Sequence, residues 1–279
     1  MTMISGAPSV PAPALALPRS QRELVQIEVR NEWATLRASP LFWVGCALKL
    51  IPAALLGSHF ATRWFAPFAY EFVRGHFANP WNTFLERGEP MAFPYGPGML
   101  ALVSLPFAPA LALSFDPSSH LGLFLLRLPV FAADLTICVL LMRWLRLHAR
   151  DAIAWYWLSP IVLYATYVHG QLDLIPTALL CLALFSMFAQ RTRVAGFVFG
   201  FALATKLHLL IALPFALVFL ARQRKRPFAA LEFAGTAALT TAALYSPVLS
   251  SPAFRTMVFG SVEADKLWAV SIPYGFHGL

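Results

Sequence analysis

The sequence predicts an all-α protein: a polytopic transmembrane helical bundle with a long outer loop after its first helix and some short or re-entrant helices. Two observations carry this expectation. The 279 residues are 59% hydrophobic and only 12% charged, about half the charge of an ordinary soluble domain. The apolar residues are also gathered into runs, at about 41–58, 98–113, 121–142, 152–168, 172–189, 194–220 and 228–249. At roughly 20 residues per crossing, the chain has room for about eight or nine helices plus loops. Several runs are short for a hydrocarbon core of about 30 Å, so tilting, half-helices or local thinning are expected. The 22 prolines and 15 glycines lie inside or beside these runs, where membrane helices tolerate them better than soluble ones do.

The net charge of +8 does not point to nucleic acid. The basic residues are dispersed between apolar segments and form no soluble basic domain, so they read as topogenic loop charge. Cys46, Cys138 and Cys181 all fall inside apolar runs without metal-ligand spacing and read as small core residues.

Residues 1–18, rich in Ala and Pro, read as a disordered cytoplasmic tail, because no basic start precedes a sustained apolar core. Residues 19–38 alternate Arg19, Arg22, Arg30 and Arg37 with Glu23, Glu28 and Glu32, an amphipathic approach to the membrane; 1–38 is thus one N-terminal segment and 39–279 the helical domain. Arginines orient that domain. The four above, Arg143, Arg146 and Arg150, Arg191 and Arg193, and Arg222, Arg224, Lys225 and Arg226 make up 13 of the 21 Lys and Arg. All four clusters are placed on the cytoplasmic side.

Three expectations follow. Segments 152–168 and 172–189 form a hairpin whose tip, His169-Gly170-Gln171-Leu172-Asp173, faces outside. Segment 194–220 has arginines beyond both ends, so it is two short helices meeting at Thr205-Lys206-Leu207-His208. Parity closes only if one of 41–58 and 98–113 fails to cross; 98–113, short and carrying Pro106 and Pro109, is the one expected to be re-entrant or to lie along the surface. Residues 250–279 are less apolar and end without a closing helix or basic tail, as expected of the N-terminal portion of a longer protein.

Ionisable groups in apolar surroundings are costly, which makes each a candidate for function. The loop 59–97 holds Glu71, Glu86 and Glu89 with Arg63, Arg74 and Arg87 among aromatic residues that include Trp64, Phe65, Phe68, Tyr70, Phe72, Phe77 and Trp81, a composition suited to a helix lying in the interface. It either forms a plain interfacial belt or holds a carboxylate at the membrane face as a general base. It closes on Phe93-Pro94-Tyr95-Gly96-Pro97-Gly98, a rigid turn. Arg127 and Asp134 stand seven residues apart in one apolar helix, two turns along one face, and each is expected to pair with a neighbouring helix. His169, Gln171 and Asp173 mark the hairpin tip. Lys206 and His208 fall at the break before Pro214, where a lysine either snorkels or meets a phosphate.

These pieces resemble, in order, the motifs of the GT-C superfamily of membrane glycosyltransferases, over roughly residues 40–226. Phe93-Pro94-Tyr95-Gly96-Pro97 resembles the Tyr-Pro-Pro-Leu stretch after their first outer loop. Arg127-Leu128-Pro129 with Ala133-Asp134-Leu135 is similar to their third-helix pattern. Leu158-Ser159-Pro160 followed by His169-Gly170-Gln171-Leu172-Asp173 resembles their Asn-Pro…Gly-Gln-x-Asp segment, with Ser159 in place of Asn. Gly196 to Pro214, with Ala204-Thr205-Lys206, resembles their Gly…Lys…Pro segment.

The resemblance implies a mannosyltransferase-like enzyme that takes a sugar from a polyprenyl-phosphate carrier at the outer face. It implies transfer to a lipid, glycan or protein hydroxyl, in a multi-pass protein of the bacterial inner membrane or cell envelope, with membrane lipids as further partners. An outer-loop carboxylate serves as base, often with a divalent metal ion, magnesium or manganese. The family usually carries an aspartate just after its first helix, whereas this chain has no Asp between 1 and 115. Glu71 is the nearest substitute, with Asp173 the second catalytic candidate. Lys206, His208, His169, Gln171, Tyr95 and Arg127 are the candidates for holding substrate. Two other readings stay open at this point: a transporter or flippase, for which broken helices with midplane charges are equally expected, and a non-catalytic or truncated membrane protein.

Overall fold

The computed structural model describes residues 32–145, 148–222 and 227–260, with the backbone of 271–272 and 276–277. The expectations for the tail 1–18, for most of the approach 19–38, for Arg146, for Arg224 to Arg226 and for the end at 278–279 lie outside the described residues. Within them the chain is helical, apart from a two-residue antiparallel pairing of Ser271–Ile272 with Phe276–His277.

Helix α1 (Glu32–Ala38) meets α2 (Pro40–Leu55) at a bend of 81°. A π-helical turn, Phe60–Phe65, leads into α3 (Ala66–Arg74), and α4 (Pro80–Glu86) follows. Helix α5 (Pro97–Ser104) tightens into a 3₁₀ stretch, Leu105–Leu111, where Pro106 and Pro109 interrupt the α ladder. The long helix is α6 (His120–Leu145). Two short helices, α7 (Ala149–Ala152) and α8 (Pro160–Val162), each run on into a π turn, and α9 (Leu174–Phe188) descends from the hairpin tip. Then come α10 (Thr192–Thr205), a 3₁₀ stretch Leu207–Ala212, α11 (Leu213–Ala221), α12 (Ala229–Tyr245) and α13 (Pro252–Val258). Proline opens α4, α5, α8 and α13, where its missing N–H costs nothing. Asn79 and Ser251 cap α4 and α13 by accepting from Trp81 and Phe254 N–H.

Among the described residues, α6 alone is long and apolar enough to cross a bilayer by itself; the bent pair α1–α2 passes only when taken together. The apolar helices 174–188, 192–205 and 207–221 run 14 or 15 residues, about 22 Å at 1.5 Å per residue. The outer surface of the bundle is apolar as a membrane protein's is. Trp155, Ile161, Ile211, Phe215, Leu231 and Leu239 are each at least 70% exposed, a density of bare apolar side chains that water would not tolerate.

Contacts between helix ends order the bundle into two poles. Trp144 at the end of α6 lies 6.2 Å from Phe188 at the end of α9, and Phe188 lies 5.2 Å from Phe219 near the end of α11. Arg193 reaches Glu232 at the start of α12, and Arg143 pairs with Glu32. Arg143, Arg191, Arg193 and Arg222 therefore share one pole. At the other, His120 bonds the Ala54 carbonyl, and Lys206 bonds Asp173. Helix α10 climbs to this tip pole and α11 returns, so 194–220 is the broken pair that its flanking arginines require.

The 97–111 segment behaves as the parity demanded. It starts beside Thr205, whose carbonyl accepts from Gly96 N–H at 3.1 Å. It ends near α3, where the Ala110 carbonyl accepts from Arg74 and the Phe115 N–H donates to the Tyr70 hydroxyl. Both ends lie at the tip pole, as expected of the segment that fails to cross. Between the poles, α10 packs on α12 through Gly196 and Gly200, where any added Cβ would collide with Thr236 and with the Ala237 carbonyl. The loop 59–97 folds as α3 and α4 over an aromatic core: Phe68 stacks on Phe93 at 4.6 Å, and Trp81 packs edge-on against Phe254 at 4.9 Å. Each such pair contributes about 0.5–1.5 kcal/mol beyond its burial.

Candidate active site at the tip pole

The break after α10 is local chemistry. Thr205 turns its hydroxyl back onto the Ala202 carbonyl at 2.6 Å and so ends the helix. Lys206 is extended (φ −152°, ψ 113°), and its N–H closes on Ala202. The Gly96 amide needs the Thr205 carbonyl, and a Cβ at Gly96 would strike the carbonyl oxygen of Ala204. Residue 96 is thereby confined to glycine, and the preceding Tyr95 is set beside Lys206, 5.4 Å from the ammonium to the ring centre.

The hairpin tip supplies the other wall. Gly170 takes φ +93°, which favours glycine. The His169 and Gln171 N–H groups close onto the Tyr164 and Ala165 carbonyls. His169 stacks on Tyr164 and meets Phe60 edge-on at 5.8 Å. Asp173 stands at the start of α9 without capping it. Its carboxylate instead accepts from Lys206 at 2.7 Å, with 43% and 26% of the two side chains exposed. Tyr95, His169, Gly170, Gln171, Asp173 and Lys206 line a cavity of about 140 Å³ with the rings of Phe60 and Trp64. A larger groove of about 720 Å³ on the face of α11, lined by Pro214, Phe215, Val218, Phe219 and Arg222, offers no carboxylate.

Five of the eight sequence candidates thus meet in one place: Asp173, Lys206, Tyr95, His169 and Gln171. Three do not line the cavity. Glu71 is held by Arg87 in a two-pronged pair at 2.9 and 3.1 Å, as Glu89 is by Arg63. His208 lies exposed on the 3₁₀ stretch beyond Lys206. Arg127 is fully buried behind the wall: a Cβ on Gly170 would lie 2.9 Å from its Nη2 and 2.5 Å from the Ser58 hydroxyl. None of its three guanidinium nitrogens has a hydrogen-bond partner among the described residues.

Asp134 pairs with a neighbouring helix, as expected, and not with Arg127. Its partner is Lys49 on α2, at 2.6 Å and fully buried on both sides, with the Tyr167 hydroxyl donating to the same oxygen at 2.8 Å. The Lys49 ammonium also sits 3.6 Å from the Trp157 ring centre. Sequence reasoning passed over Lys49, although it is a lone charge in the middle of the run 41–58. Ser58, Phe60 and Trp64, at the start of the loop, are further wall residues it did not single out.

A magnesium ion is commonly held by one or two carboxylates, with water and substrate phosphate completing its shell. Among the described residues, no group of three or more His, Cys, Asp or Glu side chains converges to hold a metal, and Asp173 is the one carboxylate lining the cavity.

The sequence profile of glycosyltransferase family 87 matches residues 93–277. The chain belongs to glycosyltransferase family 87. This family is of the GT-C type, so the chain is a membrane glycosyltransferase, acting on a sugar donor and an acceptor. The match begins at Phe93 and takes in Tyr95, His169, Gln171, Asp173 and Lys206, while Glu71, Ser58 and Lys49 precede it. No curated protein and no solved structure matches the chain.

Proposed function

We propose that this family 87 chain transfers a sugar from a polyprenyl-phosphate carrier to a lipid, glycan or protein hydroxyl, at the outer face of a bacterial inner membrane that it crosses several times. The observation that carries the reading is the juxtaposition of Asp173 and Lys206 in one cavity at the pole opposite Arg143, Arg191, Arg193 and Arg222. Transfer needs one carboxylate to accept the proton of the attacking hydroxyl and a cation where charge develops on the departing phosphate. The cavity holds one of each. The arginine pole is the cytoplasmic one by the positive-inside rule, which sets the cavity on the outer side, where apolar helix faces deliver a lipid-borne donor.

In this reading Asp173 is the base and Lys206 binds the phosphate. Tyr95, His169 and Gln171 orient the sugar, and His208 stands next to the phosphate path. Glu71, tied to Arg87, supports the loop that roofs the site.

The test is transfer in proteoliposomes from a prenyl-phosphate mannose donor. Asp173→Asn should lower the rate by about 100-fold or more with the melting temperature unchanged. Full turnover by that variant would remove Asp173 from the chemistry and return Glu71 to candidacy.

A further inference from the structure

Two features of the tip pole belong together. The cavity has a single carboxylate in its wall, and among the described residues no three His, Cys, Asp or Glu side chains converge on a metal position. Directly behind that wall, one glycine thick at Gly170, lies a guanidinium that is wholly buried and has no hydrogen-bond partner among the described residues. An unpaired buried charge is among the costliest features a fold can carry, so its retention points to an anionic ligand. The other cation of the site, Lys206, is neutralised at rest by Asp173.

We propose that Arg127 and Lys206 do the work of a metal ion here, and that Lys206 is handed to the carrier phosphate when Asp173 takes up the acceptor's proton. The inference rests on the lipid-phosphate donor reading above. The acceptor oxygen bonds to C1 of the sugar, and the C1–O bond to phosphate breaks, its electron pair going to the phosphate oxygen. The acceptor proton passes to a carboxylate oxygen of Asp173. The carrier phosphate, a diester with one negative charge, becomes a monoester with two. In the same step Asp173 loses its charge, so the ammonium 2.7 Å away is released to face the new anion. Arg127 supplies a constant positive field from behind Gly170, in a medium where charge is poorly screened. Charge is conserved within the site at each stage, and no divalent ion is required.

The test separates this proposal from the reading beneath it. Farnesyl monophosphate, a short analogue of the departing carrier, is titrated into the full chain in nanodiscs and followed by tryptophan fluorescence, Trp64 being in the cavity wall. The expected affinity is the same in excess EDTA as in magnesium. Asp173→Asn, which frees Lys206, should bind the probe several-fold more tightly while transfer is lost, an opposition that a purely structural Asp173 would not produce. Arg127→Met should weaken binding about tenfold or more, yet raise the melting temperature of the ligand-free protein, because it removes an unpaired buried charge. Loss of wild-type binding on chelation overturns the proposal. So does weaker or unchanged binding by Asp173→Asn, or a destabilised Arg127→Met. Failure of the wild type to bind the probe under either condition instead sinks the lipid-phosphate donor itself.

Discussion

The bundle contains two lysine–aspartate pairs of nearly the same length and quite different character. Lys49 and Asp134 meet at 2.6 Å with no exposure, under Tyr167 and over Trp157. Lys206 and Asp173 meet at 2.7 Å at the rim of a cavity, partly open on both sides. The first pair ties α2 to α6 midway between the poles, where neither partner could be left alone. The second joins the break after α10 to the start of α9, where solvent or substrate can replace either partner. Distance alone does not distinguish a clamp from a reactive pair; what surrounds the ions does.

The largest expected effect comes from breaking the buried pair on one side. Lys49→Ala should destabilise the protein by about 3–5 kcal/mol, because it strands the Asp134 carboxylate, whereas the double change Lys49→Met with Asp134→Leu should recover most of that. Thermal unfolding in detergent decides it: equal losses in the single and double variants would mean the pair is no clamp.

At the rim the effect should fall on binding and not on folding. Lys206→Ala should weaken donor binding about tenfold or more with the melting point held and acceptor binding nearly unchanged, and Lys206→Arg should retain part of the function, since charge survives while shape does not. A lysine that merely packs would give the reverse, a lower melting point with intact affinity.

The smallest effect is expected at a third pair. Arg87 and Glu71, 53% and 31% exposed, should contribute about 0–1 kcal/mol to stability. Glu71→Gln should leave transfer within a few-fold of wild type. A loss as large as that of Asp173→Asn would move the base to α3.

Much of this architecture was legible in the sequence because topology is written in charge. Arginines at both ends of 194–220 required a break, and the break is at Lys206. The same parity required one of 41–58 and 98–113 not to cross, and 97–111 begins and ends at one pole. Lys49 was legible by the rule that flagged Asp134 and Arg127, a lone charge in an apolar run. Which ions pair was not legible. Lys206 and Asp173 are 33 residues apart, Lys49 and Asp134 are 85, and nothing in periodicity links them. Glu71 shows the same gap from the other side. Counting carboxylates in the loop 59–97 named a candidate, but only the fold shows that α4 brings Arg87 to it and that the cavity opens elsewhere. The buried guanidinium behind Gly170 depends on an ångström-scale approach of α6 to the hairpin tip, which no spacing encodes.

That 97–111 begins and ends at one pole bears on how the chain is assembled. A segment that does not cross cannot be released into lipid as a finished span, since its interrupted backbone needs protein around it. The Gly96 amide finds its acceptor in Thr205, a residue made more than a hundred positions later. As the chain emerges, α5 must therefore wait at the membrane surface until α10 has been synthesised and threaded. The roof of the cavity closes late in biogenesis, and a ribosome halted before Thr205 would leave a chain with its long helix in place and no site.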